Sequence, residues 1–172
     1  PLAFPQQRLW FLDQLEPGSP LYNNFTALRL LGDLEVGAIE RALATIVARH
    51  ESLRTVFASD DGVPTQQIRP AGEVAITVPV IDLQDAAEDA LDGEVERLIR
   101  REATAPIDLA HGPLLRVLLI RLGAQEHLAL FTIHHIVSDG WSVGAFIGEL
   151  VALYAADVAG AQAELPPLPV QY

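Results

Sequence analysis

Cysteine and lysine are both missing from this 172-residue chain, and each absence removes a kind of chemistry. Without cysteine there is no thiolate nucleophile, no disulfide framework and no structural zinc site of the thiolate kind. The same lack fits a cytoplasmic setting. Without lysine no Schiff base can form, and all eleven basic side chains are arginines. Positive charge is scarce against a formal net charge of −12, which argues against nucleic acid as a partner because little would neutralise its phosphates. No apolar run reaches the length of a membrane span and no basic-then-apolar leader opens the sequence, so the expectation is a soluble protein with no membrane partner.

What the chain does have is apolar substance. Half of its residues are hydrophobic, enough for one sizeable core. Pro5 to Leu15 reads as an amphipathic helix, with Leu9, Leu12 and Leu15 along one side, ended by Pro17, Gly18 and Pro20. A strand follows over 24–31, and Asp33 is placed to cap a helix whose stripe is Ile39, Ala42, Leu43, Ile46 and Val47. That helix gives way around Arg49–Phe57 to a strand, and Ser59-Asp-Asp-Gly62 marks a hairpin. Residues 75–81 read as an extended run interrupted by Pro79, and 85–103 as a charged helix with Val95, Leu98 and Ile99 inward. Two apolar strands, 114–122 and one ending on His134, form the most buried-looking hairpin. The last eight residues, 165–172, are proline-rich and read as a linker, leaving 1–164 as the folded unit.

Reactive side chains concentrate in Phe131-Thr-Ile-His-His-Ile-Val-Ser-Asp-Gly-Trp-Ser142, where a strand gives out and a helix begins. Successive strand residues face opposite sides of a sheet, so His134 and His135 cannot reach the same point. One should face packing and the other an opening. Asp139-Gly140 supplies a turn, with Gly140 free to adopt a conformation a Cβ would resist, and Ser142 stands where it can cap the helix. Singly, each residue reads as structural: a satisfied strand-end histidine, an Asp-Gly turn. A metal site is disfavoured because adjacent strand histidines diverge. A serine hydrolase using Ser138 or Ser142 lacks its Gly-x-Ser-x-Gly elbow. Imidazole acting on a bound substrate remains. The planar fork of Arg54 suits a two-bond pairing with the Asp139 carboxylate, an architectural rather than catalytic contact.

His134-His135-Ile-Val-Ser-Asp139-Gly140 resembles the His-His-x-x-x-Asp-Gly signature of the condensation domains of nonribosomal peptide synthetases, within the chloramphenicol acetyltransferase-like superfamily. Trp141-Ser142 resembles the subtype that joins an L-donor to an L-acceptor. Three further segments, around Pro5–Leu15, Arg49–Phe57 and Pro106–Arg116, resemble the family's other core motifs in the right order. His111, within the last of these, reads as a structural loop residue.

The resemblance implies an α+β lobe of the chloramphenicol acetyltransferase-like fold, a mixed and mostly antiparallel sheet flanked by helices. Family members have two such lobes, so the chain looks like the N-terminal one alone, its partners being the missing C-terminal lobe and adjacent synthetase domains. Donor and acceptor amino acids arrive as thioesters on the phosphopantetheine arms of carrier proteins, and the amine of one attacks the thioester of the other. No cofactor is expected to be bound by this lobe itself. His135 carries over as the catalytic residue; His134, Asp139, Arg54 and Trp141 as support; and Gly140 as the place where a pantetheine arm passes. Other readings are a carrier-protein docking module without turnover, and an epimerisation domain sharing the motif.

Overall fold

The computed structural model describes residues 2–168 and 171. Four helices, α1 (Phe4–Leu15), α2 (Val36–Arg49), α3 (Glu88–Thr104) and α4 (Gly140–Val158), alternate with six strands, β1 (Asn23–Leu31), β2 (Thr55–Asp60), β3 (Val63–Ile68), β4 (Val80–Asp82), β5 (Leu115–Gly123) and β6 (Glu126–His134). The architecture is α+β. One sheet has the order β1-β6-β5-β4, antiparallel except for the short parallel β4, and β2-β3 form a separate hairpin.

β6 is the axis of this sheet, and its sequence explains why. Flanked by β1 and β5, it has no solvent edge, and it is apolar on both faces as such a strand must be. Its alternation divides the core: Ala129, Phe131 and Ile133 join Leu115, Val117 and Leu119 of β5 in the cluster that takes in the α2 stripe, whereas Leu130 joins Leu118 and Ile120 in a smaller cluster around Leu98 of α3. The five residues of the α2 stripe are all buried as its period requires. α2 and α4 therefore cover one face of the sheet and α3 the other.

Several local expectations change. α1 begins at Phe4, with Pro5 tolerated in its first turn and the Gln6 amide oxygen accepting from the Ala3 N–H at 3.0 Å. Its buried side is Gln6 and Trp10, one turn apart, while Leu15 is 63% exposed. Asp33 caps nothing: Glu35 holds the N-cap position of α2, and the Asp33 carboxylate accepts from Gln125 instead. Of 75–81 only the end is a strand, because the Pro79 carbonyl accepts from Leu119 but Pro79 has no N–H to give back. α3 starts three residues later than the charge pattern suggested, and Leu98 is its one fully buried side chain.

α4 also corrects the expectation about apolar length. Its 19 residues are by length and composition apolar enough to cross a bilayer; Glu149 and Asp157 interrupt the run without making it polar. In this fold both acids are used as anchors. Asp157 accepts two bonds from Arg41, and Glu149, 14% exposed, takes Arg49 at 3.2 Å and His50 at 2.7 Å. Phe146 and Leu150 fill the core beneath, Phe146 edge-on to Phe131. The described part of the C-terminal stretch has no regular structure, but Pro166 and Gln171 are held by Arg49 and Glu51; residues 169, 170 and 172 of the expected linker lie outside the described residues.

Candidate functional site

Strand register decides what the two histidines do. His134 is the last residue of β6, opposite Asn23 of β1, and its N–H donates to the Leu114 carbonyl at 3.0 Å. It is 2% exposed and tilted against the Tyr22 ring. Its Nδ1 accepts from the Ile136 N–H at 3.1 Å, so the neutral ring carries its hydrogen on Nε2. Burial, and secondarily the neighbouring His135, push its pKa down to about 4, so the ring stays neutral near pH 7. Such a group shapes the loop and carries no charge.

His135 is the next residue and is exposed. Its N–H still bonds the Tyr22 carbonyl at 2.7 Å, which fixes its backbone to β1 just beyond the sheet. The chain then turns: the Val137 N–H donates to the His134 carbonyl, and the Gln6 amide of α1 supports the Ile136 carbonyl from below. The turn brings the Ser138 carbonyl oxygen to 2.6 Å from His135 Nδ1. A carbonyl can only accept, so Nδ1 bears the hydrogen and the free lone pair is on Nε2. Two adjacent imidazoles are thus held in opposite tautomers by two backbone groups.

Asp139 ends the loop as the N-cap of α4. Its carboxylate accepts from the Ser142 N–H at 2.7 Å while the Ser142 hydroxyl accepts from the Asp139 N–H at 2.7 Å. The Ser142 N–H, and after it the Ser142 side chain, hold the carboxyl below its ordinary pKa. The cap is therefore Asp139, with Ser142 reciprocating, whereas the sequence pointed to Ser142 as the cap and to Arg54 as the partner of Asp139. Gly140, first residue of the helix, does not have a positive φ, and a Cβ built there would meet nothing within 4 Å. The expected backbone need for glycine is absent. Trp141 stands 87% exposed beside it.

The Arg54–Asp139 pair does not form. Arg54 closes a 3-10 turn over Glu51–Arg54, and its guanidinium donates to the Arg69 carbonyl at 2.7 Å and to Glu51 at 3.3 Å, tying that turn to the β3 end. Asp139 satisfies its own helix instead, a local bond that needs no distant partner. The neighbouring Arg49 and His50 hold Glu149 of α4. His111 pairs with Asp108 in its exposed loop at 2.8 Å.

Neither serine suits a nucleophile. The Ser138 hydroxyl is committed to the His134 carbonyl at 3.1 Å and to Asn24 at 2.9 Å, and Ser142 to the cap. Among the described residues no group of three or more His, Cys, Asp or Glu could hold a metal ion. A cavity of about 70 Å³ beside the loop is lined by His50, Leu53, Ser138, Ser142 and Phe146 but not by His135, whose ring stands on open surface. What the arrangement can do is accept a proton at Nε2 from a substrate brought against that surface. The residue that sequence reasoning missed is Asn24, 111 positions away in β1, whose amide lies 3.3 Å from His135 Nδ1; only the pairing of β1 with β6 brings it there.

A lobe with a two-faced sheet and a histidine freed at the end of an inner strand has the chloramphenicol acetyltransferase-like fold of the solved condensation domains it matches. A family model of the condensation domain matches residues 1–172. Over its full length the chain is 49% identical to part of the linear gramicidin synthase of Brevibacillus parabrevis and 45% identical to part of the phosphinothricin tripeptide synthetase PhsC of Streptomyces viridochromogenes, spanning 3% and 16% of those relatives. Among solved structures, the first condensation domain of the calcium-dependent antibiotic synthetase matches with a TM-score of 0.84 at 30% identity, covering 96% of this chain and 39% of that one. The starter condensation domain of rhizomide synthetase RzmA matches with a TM-score of 0.86 at 25% identity and the same coverage. The chain belongs to the condensation-domain family, with the extent of its N-terminal lobe.

Proposed function

We propose that this chain supplies the histidine-bearing half of a cytoplasmic synthetase condensation domain that makes an amide bond between two amino acids carried on phosphopantetheine. The observation behind this reading is the His135 ring, exposed at the end of β6 with its Nδ1 tied to the Ser138 carbonyl at 2.6 Å. That bond leaves the lone pair on Nε2, an atom with no hydrogen-bond partner among the described residues. In the proposed step the acceptor amine attacks the donor thioester carbonyl, forming the C–N bond. His135 Nε2 takes the proton from nitrogen, and the C–S bond then breaks with the proton delivered to the departing thiolate. No oxidant or metal is needed. Holding both tethered reactants together supplies much of the rate.

His134 sets the loop from below and Asp139 fixes where α4 begins. Gly140 leaves open space where a pantetheine arm would lie, and its backbone N–H at the start of α4 is proposed to serve a developing oxyanion. The open surface around His135 supports a reaction chamber completed by a second lobe, reached through the stretch 165–172, so the isolated lobe is proposed to be inactive. Trp141-Ser142 supports the L-donor, L-acceptor subtype. Carrier proteins and neighbouring synthetase domains are the proposed partners; the acidic surface supports a reading without nucleic acid or membrane.

The test is amide formation by the parent synthetase carrying His135→Ala. A fall of about 10²-fold or more is expected for loss of a positioned base; an undiminished rate would sink the reading. Loaded carrier protein that binds the parent without product would favour a docking module. Exchange of the α-hydrogen for deuterium without amide formation would favour epimerisation.

A further inference from the structure

We infer that Asn24 is a positioning residue for His135, acting through Ser138 to hold the imidazole lone pair on Nε2; this rests on the proposed role of His135. The tautomer depends on a single backbone oxygen, that of Ser138, in a turn only three residues past the ring. What keeps that oxygen in place is the Ser138 side chain, 7% exposed, while Asp139 next to it is exposed. Its hydroxyl donates to the His134 carbonyl at 3.1 Å and accepts from Asn24 Nδ2 at 2.9 Å. The first of these bonds runs back to the last residue of β6, the strand that the turn follows. The second ties the Ser138 side chain to β1.

Asn24 is well suited to that task. It lies in β1 opposite Ile133, in a register of nine residue pairs between β1 and β6, so its backbone is fixed on the strand that His135 follows. It faces the same side of the sheet as His135, by the alternation that sends Asn23 and His134 to the other side. The same amide nitrogen lies 3.3 Å from His135 Nδ1, which already bears the hydrogen and cannot accept from it, so the bond it makes here is the one to Ser138. Without this link the Ser138 oxygen loses its fixed distance to Nδ1. A neutral imidazole then redistributes its hydrogen between the two nitrogens, and an Nε2 that already bears hydrogen cannot take a proton from an amine on the open side of the ring. A merely structural asparagine would support the turn without governing which nitrogen is protonated.

Two readouts test this. In the 172-residue chain with ¹⁵N-labelled histidine, the His135 Nε2 resonance is expected at the position of an unprotonated nitrogen, moving toward an averaged position in Asn24→Ala and in Ser138→Ala. Ser138→Thr, which keeps the hydroxyl, should retain the original spectrum. In the parent synthetase each alanine variant should lower kcat for amide formation about 10-fold, a fraction of the effect of a general base. The double variant should lose no more than either single one, because both remove the same link. An unshifted Nε2 resonance in both alanine variants, or losses that multiply in the double variant, overturns the inference. If His135→Ala leaves amide formation undiminished while the resonance shifts as expected, the base role fails and the positioning of the ring stands.

Discussion

At the scale of single residues, the contrast between His134 and His135 is one of solvent. The two rings are chemically identical and adjacent, yet one is walled in and the other is open, because a strand sends neighbours to opposite faces. The buried ring has a measurable consequence. Its pKa in the folded protein is pushed down to about 4, below the 6.5 of an unfolded chain. Between those values the unfolded state binds a proton that the folded state refuses, so stability must fall as pH drops from about 6.5 and level off near 4. The effect is on the order of 3 kcal/mol across that window. His134→Gln, which keeps a polar group beside the Ile136 N–H, should flatten this part of the curve of melting temperature against pH. A slope unchanged by the substitution would show that another group titrates there.

At the scale of elements, α3 is held differently from the other helices. α2 buries six side chains, whereas α3 fully buries only Leu98, set among Leu118, Ile120 and Leu130 of the sheet. Its outer surface is tied within itself by Glu94–Arg97 and Glu96–Arg100, pairs of little net worth on a solvated face. Leu98→Ala should therefore cost about 3 kcal/mol and lower the melting temperature by roughly 10 °C. Protection of α3 amides in hydrogen exchange should drop more than that of α2. Equal loss in both helices would mean that the molecule opens only as a whole.

These elements also show what kind of pattern is readable from sequence. The α2 stripe and the apolar β5–β6 hairpin were legible because burial imposes a period or a run on consecutive residues. The hairpin at Asp60–Gly62 was legible too, since Asp61 and Gly62 both take the positive φ that the tight turn demands. Caps were read less well. Asp33 and Ser142 are chemically good caps, but Glu35 and Asp139 hold those positions, a choice made by where the preceding strand or turn delivers the chain. The Arg54–Asp139 pair failed for a related reason: each group found a partner within its own element or the one beside it, and short loops close at less entropic cost.

At the scale of the whole molecule, several large apolar side chains stand uncovered. Leu21, Leu31 and Trp141 are each at least 75% exposed, and Val151 and Val158 lie open on α4. β1 is a sheet edge nine residues long with no strand on its outer side among the described residues. The chain spans about 39% of the solved condensation domains it resembles. As a separate molecule it should self-associate as its concentration rises, through apolar surface that a larger protein would cover. Sedimentation velocity across a concentration series checks this; a single monomeric species throughout would mean that the exposed residues are too scattered to act as a patch.

The sequence by itself determined the central hairpin and the strand-to-helix stretch bearing the two histidines, because periodicity and turn chemistry are written in neighbouring residues; the class of fold followed from the resemblance of its motifs to a known family. Only the tertiary structure decided that Ser138 presents its carbonyl to one imidazole and that Asn24 secures the serine from another strand. It also decided that Arg54 stays with Glu51 and Arg69. Those outcomes depend on strand register and on the distance between elements, and no local pattern of residues encodes a distance across 111 positions of chain.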